Sequence, residues 1–227
     1  FEGEAGEIFA STMRVFRDIY RSGADQEPSP LDVEQTNTSV VFGDSFILKL
    51  FRRVDEGINP DLEVGRFLTE STDFPNIAAV SGALEYRQGR RRSMTLAVLQ
   101  SFVPNEGDAW QYTLDSLSGY FEGALAHPVV QIPPLTAKPL LDMLREPPAL
   151  AAELIGPYMQ SIELLGRRTA EMHLALASAA DDPDFAPEPL AFMDQNSLYQ
   201  SMRGYAVRTL QLLRERFEGF PADMRED

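Results

Sequence analysis

The hydrophobic periodicity of the chain changes near residue 103, and this change limits the folds that the sequence can form. Before it, short apolar segments alternate with a period of two, as in SVVF at 39–42 and SFILKLF at 45–51. After it, apolar residues recur every three or four positions, which is the spacing of one helix face. The pattern predicts a strand-rich region followed by a mainly helical region.

The strand-rich region is predicted to form an antiparallel sheet of about five strands, with one helix inserted after the third. The other strands are LDVEQ at 31–35, SGALEYRQ at 81–88 and SMTLAVLQSF at 93–102. Asn59 followed by Pro60 predicts the start of the inserted helix, because Asn caps helix N-termini and Pro is favoured at the first helical position. Gly43-Asp44 predicts a tight turn. A further helix is predicted over 8–20.

In the second half, helices are predicted over roughly 108–125, 149–179 and 195–217, with a break at Gly156-Pro157. Trp110 has the helical spacing of a core residue, and the alternative is that it stacks on a sugar. Three segments follow from these elements: an N-terminal helical remnant with a linker (1–30), a sheet-rich lobe (31–103) and a helical portion (104–227). This α+β order is the layout of a bilobed, protein-kinase-like fold.

Composition restricts the partners of the protein. The 227 residues carry a net charge of −15, so phosphate backbones and anionic lipid surfaces are repelled, and neither nucleic acid nor membrane is expected as a partner. The absence of cysteine excludes disulfides and thiolate metal sites, and a cytoplasmic location is expected. No apolar run approaches the ~18 residues of a transmembrane span.

Lys49 is one of only two lysines among twenty basic residues, and it lies inside an apolar strand. Alternation places it on one face with Ile47 and Phe51. It is either an edge-strand lysine that extends into solvent or a cation kept for phosphate. Glu63, fourteen residues later in the first turn of the predicted helix, favours the second interpretation. In protein kinases a strand lysine binds nucleotide phosphates and pairs with a glutamate of the next helix.

The segment EQTNTSVVFGD precedes this strand, at the place where a kinase has its phosphate-covering loop. It has no glycine before Gly43, and residues 36–39 are Thr, Asn, Thr and Ser. Such residues bind phosphate oxygens through side chains and backbone N–H groups. They are equally typical of an ordinary turn, and the pattern does not decide between the two.

With these segments the chain resembles maltokinase, a family that occurs alone or fused to trehalose synthase. The resemblance rests on EQTNTSVVFGDSFILKLFRR, GINPDLEVGRFLTE and SFVPNEGDAW, with GRRTAEMHLALAS and DFAPEPLAFMDQNSLYQSMR similar to later helices, and it covers about 31–217. It implies a kinase-like fold related to aminoglycoside phosphotransferases. The implied activity is ATP- and Mg²⁺-dependent phosphorylation of maltose to maltose 1-phosphate, which feeds α-glucan synthesis and allows association with trehalose synthase.

The resemblance also implies roles for individual residues. Lys49 would hold the ATP phosphates and Glu63 would orient it. The residues of the turn before β-strand 39–42 would cover the phosphates. Residues at the end of the last predicted strand would form the hinge that contacts adenine through backbone groups. These are Thr36, Asn37, Thr38 and Ser39 for the covering turn, and Gln100, Phe102 and Val103 for the hinge.

The sequence departs from the family at the catalytic residues. An HGD-like motif, which supplies the aspartate base, and a DFE-like motif, which binds Mg²⁺, are both absent. Asp184-Phe185-Ala186 resembles the second only superficially. No catalytic residue and no metal ligand is therefore assigned, and the chain is expected to be the N-terminal portion of the kinase, inactive by itself. Two alternatives remain: another small-molecule kinase of the aminoglycoside or choline type, and a non-catalytic interaction module.

Overall fold

The structure is a computed structural model, and it describes residues 2–3, 6–20, 27–31, 37–89, 93–126 and 153–219. The chain divides into two compact units, Phe1–Ser178 and Ala179–Asp227. Over the described residues the strands are β1 (Glu7–Thr12), β2 (Pro28–Pro30), β3 (Asn37–Phe42), β4 (Phe46–Phe51), β5 (Val80–Arg87) and β6 (Met94–Ser101). The helices are α1 (Arg14–Ile19), α2 (Pro60–Glu70), α3 (Ala109–Ala126), α4 (Tyr158–Leu176) and α5 (Phe192–Arg216), followed by a 3₁₀ turn at Phe217–Gly219.

The six strands form one sheet in which every neighbouring pair is antiparallel. Their order is β1-β5-β6-β4-β3-β2, so β4 and β6 are central and β1 and β2 are the edges. Pro28 and Pro30 both lie in β2. An edge strand tolerates proline because one side of its backbone needs no partner. The first unit is thus a mixed α and β structure with a single antiparallel sheet.

Helix α2 begins as the sequence predicts and packs on one face of the sheet. The Asp61 N–H donates to Oδ1 of Asn59 at 2.9 Å, which is the expected N-cap bond, and Pro60 is the first helical residue. Leu62 of α2 lies in the buried cluster with Val80 and Val98. That cluster forms the core between the helix and the sheet.

Several sequence predictions are confirmed. The strands at 39–42, 45–51, 81–88 and 93–102 are present as β3 to β6, and the Gly43-Asp44 turn joins β3 to β4, with Gly43 at a φ of 52°. The helices predicted over 108–125 and 195–217 are α3 and α5. A turn at Gly156-Pro157 precedes α4, as the predicted break requires.

The prediction of one helix over 8–20 is wrong in its first half. Residues Glu7–Thr12 form β1, which pairs with β5, and the helix is only Arg14–Ile19. The sheet therefore has six strands, and α2 follows the fourth. The cause is tertiary: hydrogen bonding to the exposed edge of β5 outweighs a helical spacing that is also compatible with a strand. Of the predicted strand at 31–35, Leu31 lies just after β2, and its N–H donates to the Ser39 carbonyl at 3.0 Å. The rest of that strand and Thr36 lie at 32–36, outside the described residues.

Gly65 lies where α2 contacts β5, so a substitution at this position tests how closely the helix packs on the sheet. A Cβ at Gly65 would lie 2.6 Å from Cγ2 of Val80, a fully buried and stiff side chain. Alanine inside a helix normally gains about 1 kcal/mol over glycine, but overpacking costs about 1–3 kcal/mol. We expect Gly65→Ala to lower the free energy of unfolding by ~1 kcal/mol in chemical denaturation.

Gly166→Ala in α4 is the matched control, because among the described residues nothing outside the adjoining helix backbone lies within 4 Å of its added Cβ. This change should raise the free energy of unfolding by about 0.5–1 kcal/mol. A gain from both substitutions would contradict the close approach of α2 to the sheet.

Candidate functional site

Lys49 lies on central strand β4, on the sheet face that α2 covers. It is the direct cross-strand partner of Ser39 on β3 and of Val98 on β6. Residues directly opposite one another project from the same face of an antiparallel sheet. Val98 belongs to the buried cluster that contains Leu62 of α2, and Phe51 packs against the same cluster. The side chain of Lys49 is therefore directed to the layer between sheet and helix, as the alternation predicts.

Neither Lys49 nor Glu63 has a charged partner within the described part of the chain. Both side chains are half-buried, and no oppositely charged atom lies within 4.0 Å of either. The ion pair that the sequence suggests between them is thus not formed in this structure, and the pairing stays a prediction. Burial of a charged group is stabilised by a partner of opposite charge, and the described residues supply none to Lys49 within 4.0 Å.

The three described residues of the expected phosphate-covering turn lie on both faces of the sheet. Asn37, Thr38 and Ser39 are the first residues of β3 and not a turn, because they extend the ladder with β4. Asn37 and Ser39 alternate onto the Lys49 face, where Ser39 is only 4% exposed. Thr38 is on the opposite face, and its hydroxyl accepts from Nε of Arg52 at 3.3 Å.

The expected hinge begins on β6 beside the start of β4. Gln100 pairs with Ile47 and lies on the Lys49 face of the sheet. The Phe102 N–H donates to the Ser45 carbonyl at 2.9 Å, so this group already has an acceptor within the sheet. Phe102 therefore anchors the hinge to β4, and its N–H is not available to a ligand.

Val103 is the accessible member of the hinge. It is 53% exposed and follows the last residue held by the sheet. Its carbonyl accepts from Nδ2 of Asn105 at 3.2 Å, and its N–H has no acceptor among the described residues. Among the described residues, the Val103 N–H is thus the predicted hinge group that keeps its donor for the edge of a planar base.

Thr95 on β6 is a polar residue of this region that sequence reasoning missed. Its side chain is 3% exposed, and Oγ1 accepts from the N–H of Asn59, the N-cap of α2, at 3.0 Å. Simple alternation along β6 places Thr95 on the face opposite Val98, so the sequence pattern carries no signal for this contact.

The described residues do not provide a metal site. Within 2–3, 6–20, 27–31, 37–89, 93–126 and 153–219, no three acidic, histidine or cysteine side chains come together as metal ligands. Asp184 accordingly has no ligand partners among these residues. None of the helices in the same ranges combines the length and apolar character that a membrane-spanning helix needs.

No protein-family model matches the chain. Among solved structures it is similar to a glucosamine kinase in one crystal form, with 19% identity and a TM-score of 0.44 over 100% of this chain and 43% of the other. It is also similar to glucosamine kinase in complex with glucosamine, ADP and inorganic phosphate, with 19% identity and a TM-score of 0.46 over 99% of this chain and 41% of the other. The chain thus spans less than half the length of these structures, and a likeness of this degree does not define its family.

Proposed function

We propose that this chain is the nucleotide-binding portion of an ATP-dependent sugar kinase that phosphorylates maltose at its anomeric hydroxyl. The supporting observation is Lys49, a half-buried cation on the α2 side of a central strand, to which the described residues supply no counter-charge within 4.0 Å. The choice of maltose rests on the sequence resemblance, which includes the segments around Lys49 and Glu63.

The distance between Lys49 and the expected hinge is suited to a nucleotide whose base and phosphates bind at the two ends of β4. Strand β4 rises about 3.4 Å per residue, so Lys49 lies ~14 Å along the strand from Ser45. Ser45 is bonded to the first hinge residue, Phe102. A nucleotide bound along β4 would have its base at the Val103 N–H and its phosphates at the Lys49 ammonium. Glu63, in the first turn of α2, would hold that ammonium in place.

Asn37 and Ser39 have different capacities to contact the phosphates. Asn37 is half-buried at the start of β3, on the Lys49 face, where its amide can donate to a phosphate oxygen. Ser39 is buried beside Lys49 and is better suited to support the strand than to touch the ligand. We retain Asn37 as a phosphate contact and place Thr38 outside the site.

Phosphoryl transfer also requires an aspartate base and acidic Mg²⁺ ligands. The described residues contain no such cluster, so Mg²⁺ is assigned no ligand in this chain and no step is derived through it. The contribution of the chain is to bind and orient the nucleotide. The activity is a property of the intact protein, in which association with trehalose synthase would supply maltose.

The test is acceptor profiling of the intact protein with ATP and Mg²⁺. We expect ADP release that depends on maltose, with loss of the reducing end of the sugar. Trehalose is the matched control, since it is a disaccharide of the same size without a free anomeric hydroxyl, and it should not react. A preference for an amino sugar or choline would support the other kinase class instead. Failure to bind ATP at all would support the interaction module.

A further inference from the structure

We propose that Thr95 is a positioning residue for Glu63, an inference that rests on the proposed nucleotide site. Thr95 fixes the N-terminal end of α2 to strand β6, and Glu63 is in the first turn of that helix.

An irregularity in the β5–β6 ladder turns Thr95 toward α2. Leu84 pairs with Ala97 and the next residue, Glu85, pairs with Thr95, so Leu96 is an extra residue on β6. Such a bulge reverses the alternation between the side chains on its two sides and often re-aims a side chain near a site. Because Glu85 shares a face with Ala83, which is in the core beneath α2, Thr95 lies on that face as well.

The hydrogen-bond path from Thr95 to Glu63 is short. Oγ1 of Thr95 accepts from the Asn59 N–H at 3.0 Å, and the Asn59 carbonyl accepts from the Glu63 N–H at 3.0 Å. The first of these bonds is made by a side chain that is 3% exposed, where water cannot replace it. Two bonds therefore connect the buried hydroxyl to the backbone of Glu63.

The same strand also places Lys49. Val98, three residues after Thr95 on β6, is the direct cross-strand partner of Lys49. Strand β6 thus holds the lysine through sheet pairing and the glutamate through Thr95. A change in the Thr95 bond would move Glu63 relative to Lys49 without changing either residue.

The opposite end of α2 offers a matched control. Thr69 is near the C-terminus of the helix, and its Oγ1 accepts from the Val80 N–H at 3.0 Å. Both threonines therefore use a hydroxyl to accept a backbone N–H across the helix–sheet boundary. They differ in that only Thr95 is next to the turn that carries Glu63.

The experiment measures the dissociation constant for ATP in the intact protein, in four single variants (Thr95→Val, Thr95→Ser, Thr69→Val and Glu63→Gln) and in the double variant Thr95→Val/Glu63→Gln. We expect Thr95→Val to weaken ATP binding about tenfold, Thr95→Ser to restore it to within about twofold, and Thr69→Val to lower the melting temperature without changing ATP affinity. In the Glu63→Gln background, Thr95→Val should raise the dissociation constant for ATP by less than about twofold more, because both changes act on one interaction.

Two results would overturn the positioning role. The first is an equal loss of ATP affinity from Thr95→Val and Thr69→Val, which is what loosening of the helix alone would give. The second is a double variant in which the losses of ATP affinity from Thr95→Val and Glu63→Gln multiply, as they would for two independent sites. If the protein binds ATP but does not phosphorylate maltose, the proposal of maltose as the phosphate acceptor is wrong, and the comparisons of ATP affinity stay valid. A wild-type protein that does not bind ATP overturns both proposals.

Discussion

Lys49→Met is expected to lower the proposed kinase turnover of the intact protein about 10²–10³-fold, which is the usual loss when one preorganised electrostatic contact to a reacting group is removed. Lys49 is the only half-buried cation that we place at the phosphates, and Met has a similar length without the charge. Because no described residue forms an ion pair with Lys49, replacing it by Met breaks no ion pair within the described part of the chain. The melting temperature should therefore stay unchanged or rise slightly. Steady-state kinetics with maltose and a thermal melt measure the two effects.

Two further variants test whether turnover depends on a positive charge at position 49 in particular and on the shape of the charged group. Arg53→Met also removes one positive charge, but the Arg53 side chain is 92% exposed, and its ion pair to Asp55 spans 3.9 Å at the surface. Turnover should be unaffected by it. Lys49→Arg keeps the charge but replaces a compact ammonium with a planar fork, so it should recover little of the lost rate. A Lys49→Met enzyme with near-normal turnover would disprove the assigned role.

The sequence predicts best where the structure is determined by local signals. The start of α2 follows from Asn59 and Pro60, whose capping chemistry acts within one turn. The hairpin between β3 and β4 follows from Gly43, which supplies the positive φ of the turn. The face on which Lys49 lies follows from strict alternation along β4, a strand without irregularities in its ladders.

Elements that depend on distant partners are not predicted. The spacing of residues 8–20 suits a helix, but β1 forms because β5 leaves an edge that can pair with it. Thr95 is missed because the bulge at Leu96 reverses the alternation, and no residue type at that place announces a bulge. In both cases the deciding hydrogen bonds join residues far apart in sequence.

The helical half shows the difference between periodicity and burial. Trp110, Leu117 and Phe121 have the spacing of a buried face, and α3 is indeed a helix over Ala109–Ala126. Yet the three residues are 71%, 45% and 55% exposed. Their spacing predicts secondary structure, whereas burial depends on what packs against the helix, which a pattern within one helix does not specify. The core-packing interpretation of Trp110 is therefore not met among the described residues.

Leu62→Ala is expected to lower the free energy of unfolding by about 2–5 kcal/mol, since it removes a fully packed leucine and leaves a cavity. Leu62 is 2% exposed and joins α2 to Met13, Val80 and Val98 in the buried cluster. Leu174→Ala, in the same compact unit but 73% exposed, is the matched control and should change stability by less than about 0.5 kcal/mol. Urea denaturation followed by circular dichroism measures both. Equal effects from the two would show that the cluster around Leu62 is not the core that holds α2, and with it Glu63, against the sheet.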